Sequence, residues 1–321
     1  MAGEFRINRR SLLAGSAAAA AMLSFAPGAL AQGKKLKIGF ALSGVTTNAI
    51  FIDMARDLER RTQAAGYSLL TTDIAEGPQK IVSALENFIN AGADVIIFQN
   101  YAEEATADLM QQAIDRGVII GSYDTDSKIA QYSTMASNYE LGKVIGQETG
   151  KWVSAHKGSK NVAMCTYSKL DFLVERARGM VDGLRETAPD AVVATQLDAG
   201  FPHEGVPAGE NFLQAVPDLQ AVMGINDGGT LGVYQAFKAA GLNKDKGGPV
   251  IFGCDASLDG LKAVKENDLF VATVDLDLVN QVGQLYERCV EAALSGTLDE
   301  SKKLVIYPIK PVYADTVDTY L

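Results

Sequence analysis

From Leu36 to Ser295 short apolar runs alternate with amphipathic stretches of helical period, and the rhythm runs through the chain twice. The first series predicts strands over Leu36–Leu42, Tyr67–Thr72, Asp94–Phe98, Val118–Ser122 and Tyr132–Ala136. Helices are expected between them at Ala49–Ala64, Pro78–Asn90 and Glu104–Arg116, with turn signals at Ala65-Gly66, Ala91-Gly92-Ala93 and Arg116-Gly117. After a helix over Asn138–Ala155, the second series predicts strands at Asn161–Thr166, Val192–Leu197, Ala221–Ile225, Val250–Gly253 and Phe270–Val274. Its helices fall at Phe172–Thr187, Gly209–Ala215, Gly229–Ala240, Leu258–Glu266 and Leu278–Ser295. Strands separated by helices of this length are βαβ units around a parallel sheet. A chain of 321 residues exceeds what one core usually organises. The expected fold is therefore α/β, with two Rossmann-like lobes and parallel sheets.

No Pro-, Gly- or Ser-rich tether separates the halves, so the lobes are expected to be joined by continuous segments that act as a hinge. Three crossings are expected, near Ser137-Asn138, Asp275–Leu278 and Pro308–Pro311. They divide the chain into one lobe of residues 34–137 plus 277–309 and a second of 138–276 plus 310–321.

The N-terminus carries a separate message. Arg9-Arg10 precede a soft run from Leu12 to Ala26, and Ala29-Leu30-Ala31 follows with small residues where signal peptidase needs them. Residues 1–31 are thus expected to be an export signal, cleaved after Ala31, whose arginine pair resembles the twin-arginine type. The expected location is the periplasm. The chain is acidic, with a formal net charge of −10 and no Lys/Arg cluster, which disfavours nucleic acid and anionic lipid as partners. Cys165, Cys254 and Cys289 show no metal or redox spacing and are expected to be buried thiols. With only His156 and His203 besides, no metal site and no cofactor are indicated.

In open parallel sheets ligands sit beyond the carboxyl ends of the strands. The residues there are Ser43 and Asn48, Gln99-Asn100, and Tyr123-Asp124 in the first series. In the second they are Tyr167 to Arg176, Phe201, Asn226-Asp227, Asp255 and Asp275. Carboxylates accept hydrogen bonds from pairs of hydroxyls, amides and an arginine donate to ring oxygens, and aromatic faces pack on C–H surfaces. The set suits an uncharged polyhydroxylated molecule. An Asp or Asn at a strand end can instead cap the next helix. Asp227, before Gly228-Gly229-Thr230, has that character.

The strings Ile38-Gly39-Phe40-Ala41-Leu42-Ser43, Ala65-Gly66-Tyr67, Asp94-Val95-Ile96-Ile97, Tyr123-Asp124, Arg176-Ala177-Arg178-Gly179, Ile225-Asn226-Asp227 and Gly253-Cys254-Asp255 carry a resemblance across the chain. In their order and spacing it resembles the type I periplasmic sugar-binding proteins of the ribose and galactose group, the receptors of ABC importers. The resemblance implies that Asp124, Arg176, Asn226 and Asp255 bind ligand hydroxyls, with Asn48 and Gln99 where the ribose pattern has asparagines. It implies cleft aromatics at Phe51 and near Phe201, and a last contact at Asp275 or Asp277. Ser43 and Phe172 complete the candidate set, Phe172 as a ring from the second lobe. Ala49-Ile50 precede Phe51 where the pattern has Pro and an aromatic, and Thr125 replaces an arginine. The lost arginine and the extra acidic group near Asp275 point away from ribose and toward another pentose, a hexose or a sugar alcohol.

The implied function is capture of a small carbohydrate or polyol between closing lobes and its delivery to a membrane permease, by a monomer that a chemoreceptor can also read. Alternatives within the fold are an autoinducer-like furanose or an amino acid as ligand. A regulator of the same architecture would need a helix-turn-helix where the export signal stands. A secreted sugar hydrolase would rest on Asp124 and Asp255 as an acid/base pair, but no G-x-S-x-G or H-E-x-x-H motif supports an enzyme.

Overall fold

The computed structural model describes residues 34–44, 48–74 and 77–321. Leu36–Leu321 form one compact unit. The export signal expected over residues 1–31, with Arg9 and Arg10, lies outside the described residues.

The chain opens with β1 (Lys37–Leu42), α1 (Ala49–Ala64), β2 (Ser68–Asp73), α2 (Pro78–Asn90), β3 (Val95–Phe98), α3 (Glu103–Asp115), β4 (Ile119–Ser122) and β5 (Tyr132–Met135). It continues through α4 (Asn138–Ala155), β6 (Asn161–Thr166), α5 (Asp171–Thr187), β7 (Val192–Asp198), α6 (Pro202–Ala215), β8 (Ala221–Met223) and α7 (Asp227–Ala239). Then come β9 (Val250–Cys254), α8 (Leu258–Glu266), β10 (Phe270–Asp275), α9 (Leu278–Ser295), β11 (Leu304–Ile306) and β12 (Lys310–Tyr313).

The strands form two sheets ordered β11-β5-β4-β3-β1-β2 and β12-β10-β9-β8-β6-β7. Every pairing is parallel except that of β12 with β10. Central strands such as β3 are buried along their whole length, as sheets covered by helices on both faces require. Helix α1 buries Ile50, Met54, Leu58 and Thr62, one residue per turn, against its sheet. The chain passes between the sheets three times: after β5, after β10, and between β11 and β12. The fold is thus two α/β lobes joined by three segments.

Helices α4 and α5 touch backbone to backbone. A Cβ at Gly142 would stand 1.8 Å from the Arg176 carbonyl oxygen, one at Gly146 2.1 Å from that of Met180, and one at Gly179 2.1 Å from that of Tyr139. Small residues four apart make this approach possible, and it fixes where α5 presents Phe172 and Arg176.

The structure departs from the sequence expectation in two places. Helix α6 begins at Pro202 and not near Gly209. Pro207 sits inside the helix, whose start is secured by Pro202 at N1 and by Glu204 Oε2 accepting from the Gly200 and Phe201 N–H groups. Strands β11 and β12 have no counterpart in the expected series: each has three or four residues at a sheet edge, and β12 contains Pro311.

Candidate ligand-binding site

In both sheets the order reverses beside the first strand, between β1 and β3 and between β6 and β8. Loops diverge at such a switch point and leave a crevice beyond the carboxyl ends of the strands. The two crevices face each other. They frame a cavity of ≈ 80 Å³, and of the candidate ligand contacts all but one line it: Ser43, Asn48, Phe51, Gln99, Asp124, Phe172, Arg176, Phe201, Asn226 and Asp255. Tyr167, Leu170 and Leu278 are further wall residues. Tyr167 follows β6 directly, and its place at a strand end is what singled it out in the sequence.

The exception is Asp275. It lines a neighbouring space with Asp53, Asp277 and Tyr320. Strand β10 runs through Asp275 in register with Lys310 of β12, and its Oδ1 accepts from the Asp277 N–H at 2.5 Å, which turns it away from the crevice. Asp277 lies in that same space, so Leu278 supplies the wall where an acidic contact was expected.

Asp124 and Asp255 stand at the ends of β4 and β9, each buried to 7 % exposure and each at positive φ, 52° and 108°. Such backbone is costly for a residue with a Cβ and concentrates where function demands a fixed side-chain direction. Gln99 Nε2 donates to Asp124 Oδ2 at 2.9 Å. Among the described residues, Asp124 Oδ1 and Asn48 Oδ1 are buried with no hydrogen-bond partner. Burial raises the Asp124 carboxyl to about 6, opposed by Arg176 and the Gln99 bond. Burial also raises Asp255, again against the pull of Arg176.

Arg176, 3 % exposed, is a brace as much as a donor. Its Nε and Nη2 donate to Asn138 Oδ1 at 2.9 and 2.7 Å, and Nη1 donates to the Ile225 carbonyl at 2.7 Å. Nη1 also stands 3.6 Å from Asp255 Oδ1. The side chain therefore ties the cavity to the first residue of α4, just past the first crossing between lobes.

The neighbours of these residues are spent on the fold. Asn226, and not Asp227, is the cap of α7: its Oδ1 accepts from Gly229 N–H and its Nδ2 donates to the Gly200 carbonyl, each at 2.9 Å. Asp227 accepts instead from the N–H and hydroxyl of Ser257 and from the Thr273 hydroxyl. Asn100 turns to Glu103 and Thr106 at the start of α3. Cys165, Cys254 and Cys289 are free and buried, and burial pushes the thiols of Cys165 and Cys289 up to about 12. Among the described residues no cluster of His, Cys, Asp and Glu could hold a metal ion.

Contacts between lobes also frame the cavity. Asp53 Oδ2 on α1 accepts from the Leu258 N–H at the start of α8, at 2.9 Å. A carboxylate there meets both free N–H groups and the positive end of the helix. Asn48 packs so closely on Gly228 that a Cβ at that glycine would lie 2.9 Å from Asn48 Nδ2. No sequence pattern marked Asp53, because its partner lies 205 residues away.

Two lobes of matching strand order, joined by three segments around a cavity of hydroxyl-seeking groups, define a receptor that captures a small solute between them. Residues 38–296 match the family model described as a periplasmic binding protein domain, and the chain belongs to that family. It is similar to the ribose import binding protein RbsB of Bacillus subtilis, 24% identical over 280 residues, covering 86% of this chain and 87% of that one. In fold it is similar to the Caulobacter myo-inositol binding protein bound to myo-inositol, with TM-score 0.75 and 22% identity over 91% of this chain and 98% of that chain. It is likewise similar to an ABC transporter periplasmic solute-binding protein of Actinobacillus succinogenes with bound D-allose, with TM-score 0.76 and 20% identity over 89% and 100% of the two chains.

Proposed function

We propose that this chain is the receptor of an ABC importer for a small, uncharged carbohydrate or polyol, which it carries to a membrane permease. The observation that carries this reading is the pair of buried acceptors, Asn48 Oδ1 and Asp124 Oδ1, which line one cavity and take no donor from the described residues. An acceptor left unpaired inside a protein costs about 1–3 kcal/mol. Hydroxyl donors remove that penalty, and the rings of Phe51, Phe172 and Phe201 offer faces for the C–H side of the same molecule. The relatives named for ribose, myo-inositol and D-allose support the ligand class.

In this reading Ser43, Asn48, Gln99, Asp124, Arg176, Asn226 and Asp255 contact the ligand. The lobes of residues 34–137 plus 277–309 and 138–276 plus 310–321 close as rigid bodies about the three crossings. The chain works as a monomer, is exported by its Arg9-Arg10 signal, and in its closed form is also legible to a chemoreceptor. Thermal-shift screening against ribose, allose, arabinose, galactose, inositol, glycerol and amino acids tests the assignment. Ligand at 100 times its Kd should stabilise the fold by about 2.7 kcal/mol. Protein taken from the periplasm for the screen should begin at Gln32. Stabilisation by an amino acid and by no polyol would overturn the reading. With the selected polyol, small-angle scattering should show a smaller radius of gyration at unchanged helix content.

Binding should also depend on pH in a set direction. The Asp124 pKa of about 6 lies above the ordinary 3.8, so folding favours its protonated form. That contribution to stability is complete below about pH 4 and is lost as pH rises through about 6. Donated hydroxyls favour the ionised form instead, so binding should release a proton near pH 6 and affinity should rise between about pH 5 and 7. Calorimetry in two buffers of different ionisation heat measures the release. Flat affinity across that range would show that Asp124 receives no hydroxyl.

A further inference from the structure

The inner cavity opens outward past its aromatic wall. Ser43, Tyr167, Leu170, Phe172 and Phe201 line it and also line a second space of ≈ 660 Å³ on its outer side. The outer chamber is completed by Gly77 and Pro78 at the start of α2, Tyr101 after β3, and Lys169 and Asp171 at the start of α5. It is built as a different kind of surface from the inner one. Tyr101 Oη donates to the Ile74 carbonyl at 2.9 Å, which fixes that ring. Tyr167 stands edge-on to Phe201 with centroids 6.0 Å apart, and Lys169 Nζ lies 5.2 Å from the Tyr167 centroid. The outer chamber is more than twice the size of the inner cavity and is contiguous with it through these shared rings.

The division of chemistry is sharp. The buried carboxylates and amides are on the inner side, and neither Asp124, Asp255, Asn48 nor Gln99 reaches the outer one. A single small polyol satisfies the inner groups and meets Phe172 and Phe201 from the inner side, but has nothing to place against Tyr101, which lines only the outer space. Aromatic faces bind the C–H face of a sugar ring or another aromatic ring.

We propose that the ligand is a polyol joined through oxygen to a second ring, with its polyol head among Asn48, Gln99, Asp124 and Asp255 and the second ring among Tyr101, Tyr167, Phe172 and Phe201. The second ring is either a further sugar or an aryl group, two sources of one chemistry. This rests on the polyol-receptor reading and narrows it to glycosides.

Calorimetry of the exported protein decides the matter. The probes are D-allose, D-galactose and L-arabinose, each beside its phenyl glycoside and a disaccharide carrying it at the non-reducing end. At least one ring-bearing form is expected to bind about tenfold more tightly than its parent sugar; a gain by the phenyl form or by the disaccharide tells the two sources apart. Tyr101→Ala, outside the inner cavity, should remove most of that gain and leave the parent sugar within about twofold. Tyr101→Phe should keep it. If a parent sugar binds and every substituted form is tenfold weaker, the inference fails while the polyol-receptor reading stands. An equal loss for parent and glycoside in Tyr101→Ala also overturns it. If neither parents nor glycosides bind, the polyol-receptor reading falls and the inference falls with it.

Discussion

Asp124→Ala and Asp255→Ala are each expected to weaken ligand binding at least tenfold, as titration calorimetry would measure it. A hydrogen bond to a charged group is worth about 1.5–3 kcal/mol, and 1.4 kcal/mol corresponds to one decade in Kd. Both side chains are buried, both sit on positive-φ backbone, and both line the cavity from opposite lobes. Asp124 should show the larger loss, because its Oδ1 has no partner among the described residues, whereas Asp255 Oδ1 already has Arg176 Nη1 at 3.6 Å. Unchanged affinity in both variants would mean that the carboxylates serve only the loops they stand in.

Gly146→Ala should destabilise the protein, against the usual sign of that exchange. In an exposed helix interior alanine is better than glycine by about 1 kcal/mol. Here the added Cβ would lie 2.1 Å from the Met180 carbonyl oxygen and 2.7 Å from the Leu184 nitrogen, and both are backbone atoms that cannot swing aside. Overpacking of this kind typically costs about 1–3 kcal/mol, so differential scanning calorimetry should record a lower Tm. The effect reaches the site. Helix α5 carries Phe172 and Arg176, and a shift of α5 away from α4 would stretch the bonds from Arg176 to Asn138 Oδ1. Binding should therefore weaken together with stability. A raised Tm would show that the two helices do not meet at this glycine.

Much of the architecture was readable because it rests on periodicity. Helices α1, α2, α4, α8 and α9 begin and end where the apolar spacing and turn residues put them, and β6 likewise. Where local rules competed with long-range packing, the reading failed. Pro207 is a helix breaker by local rules, yet Gly205 lies so close to α7 that a Cβ there would stand 2.0 Å from the Gly229 carbonyl oxygen. Packing of α6 on α7 outweighs one lost helix hydrogen bond. Strands β11 and β12 carry too few residues for any period and exist because β5 and β10 offer them open edges.

At the site the boundary has a physical origin. The succession of elements, the doubling of the fold and the polar character of the residues after each strand follow from sequence, since they depend on neighbours within a few positions. Which of those polar groups remain available to a ligand was decided only when the sheets assembled. Asp227 is consumed by Ser257 and Thr273, and Asp275 by the backbone beside it, while Asn226 caps α7 and still lines the cavity. Asn48 Oδ1 and Asp124 Oδ1 find no such partner among the described residues. A hydrogen bond is satisfied by whatever lies within about 3 Å in space, and sequence distance carries no information about that. The tertiary structure thus chose, from many carboxylates and amides, the few that face the cavity unspent.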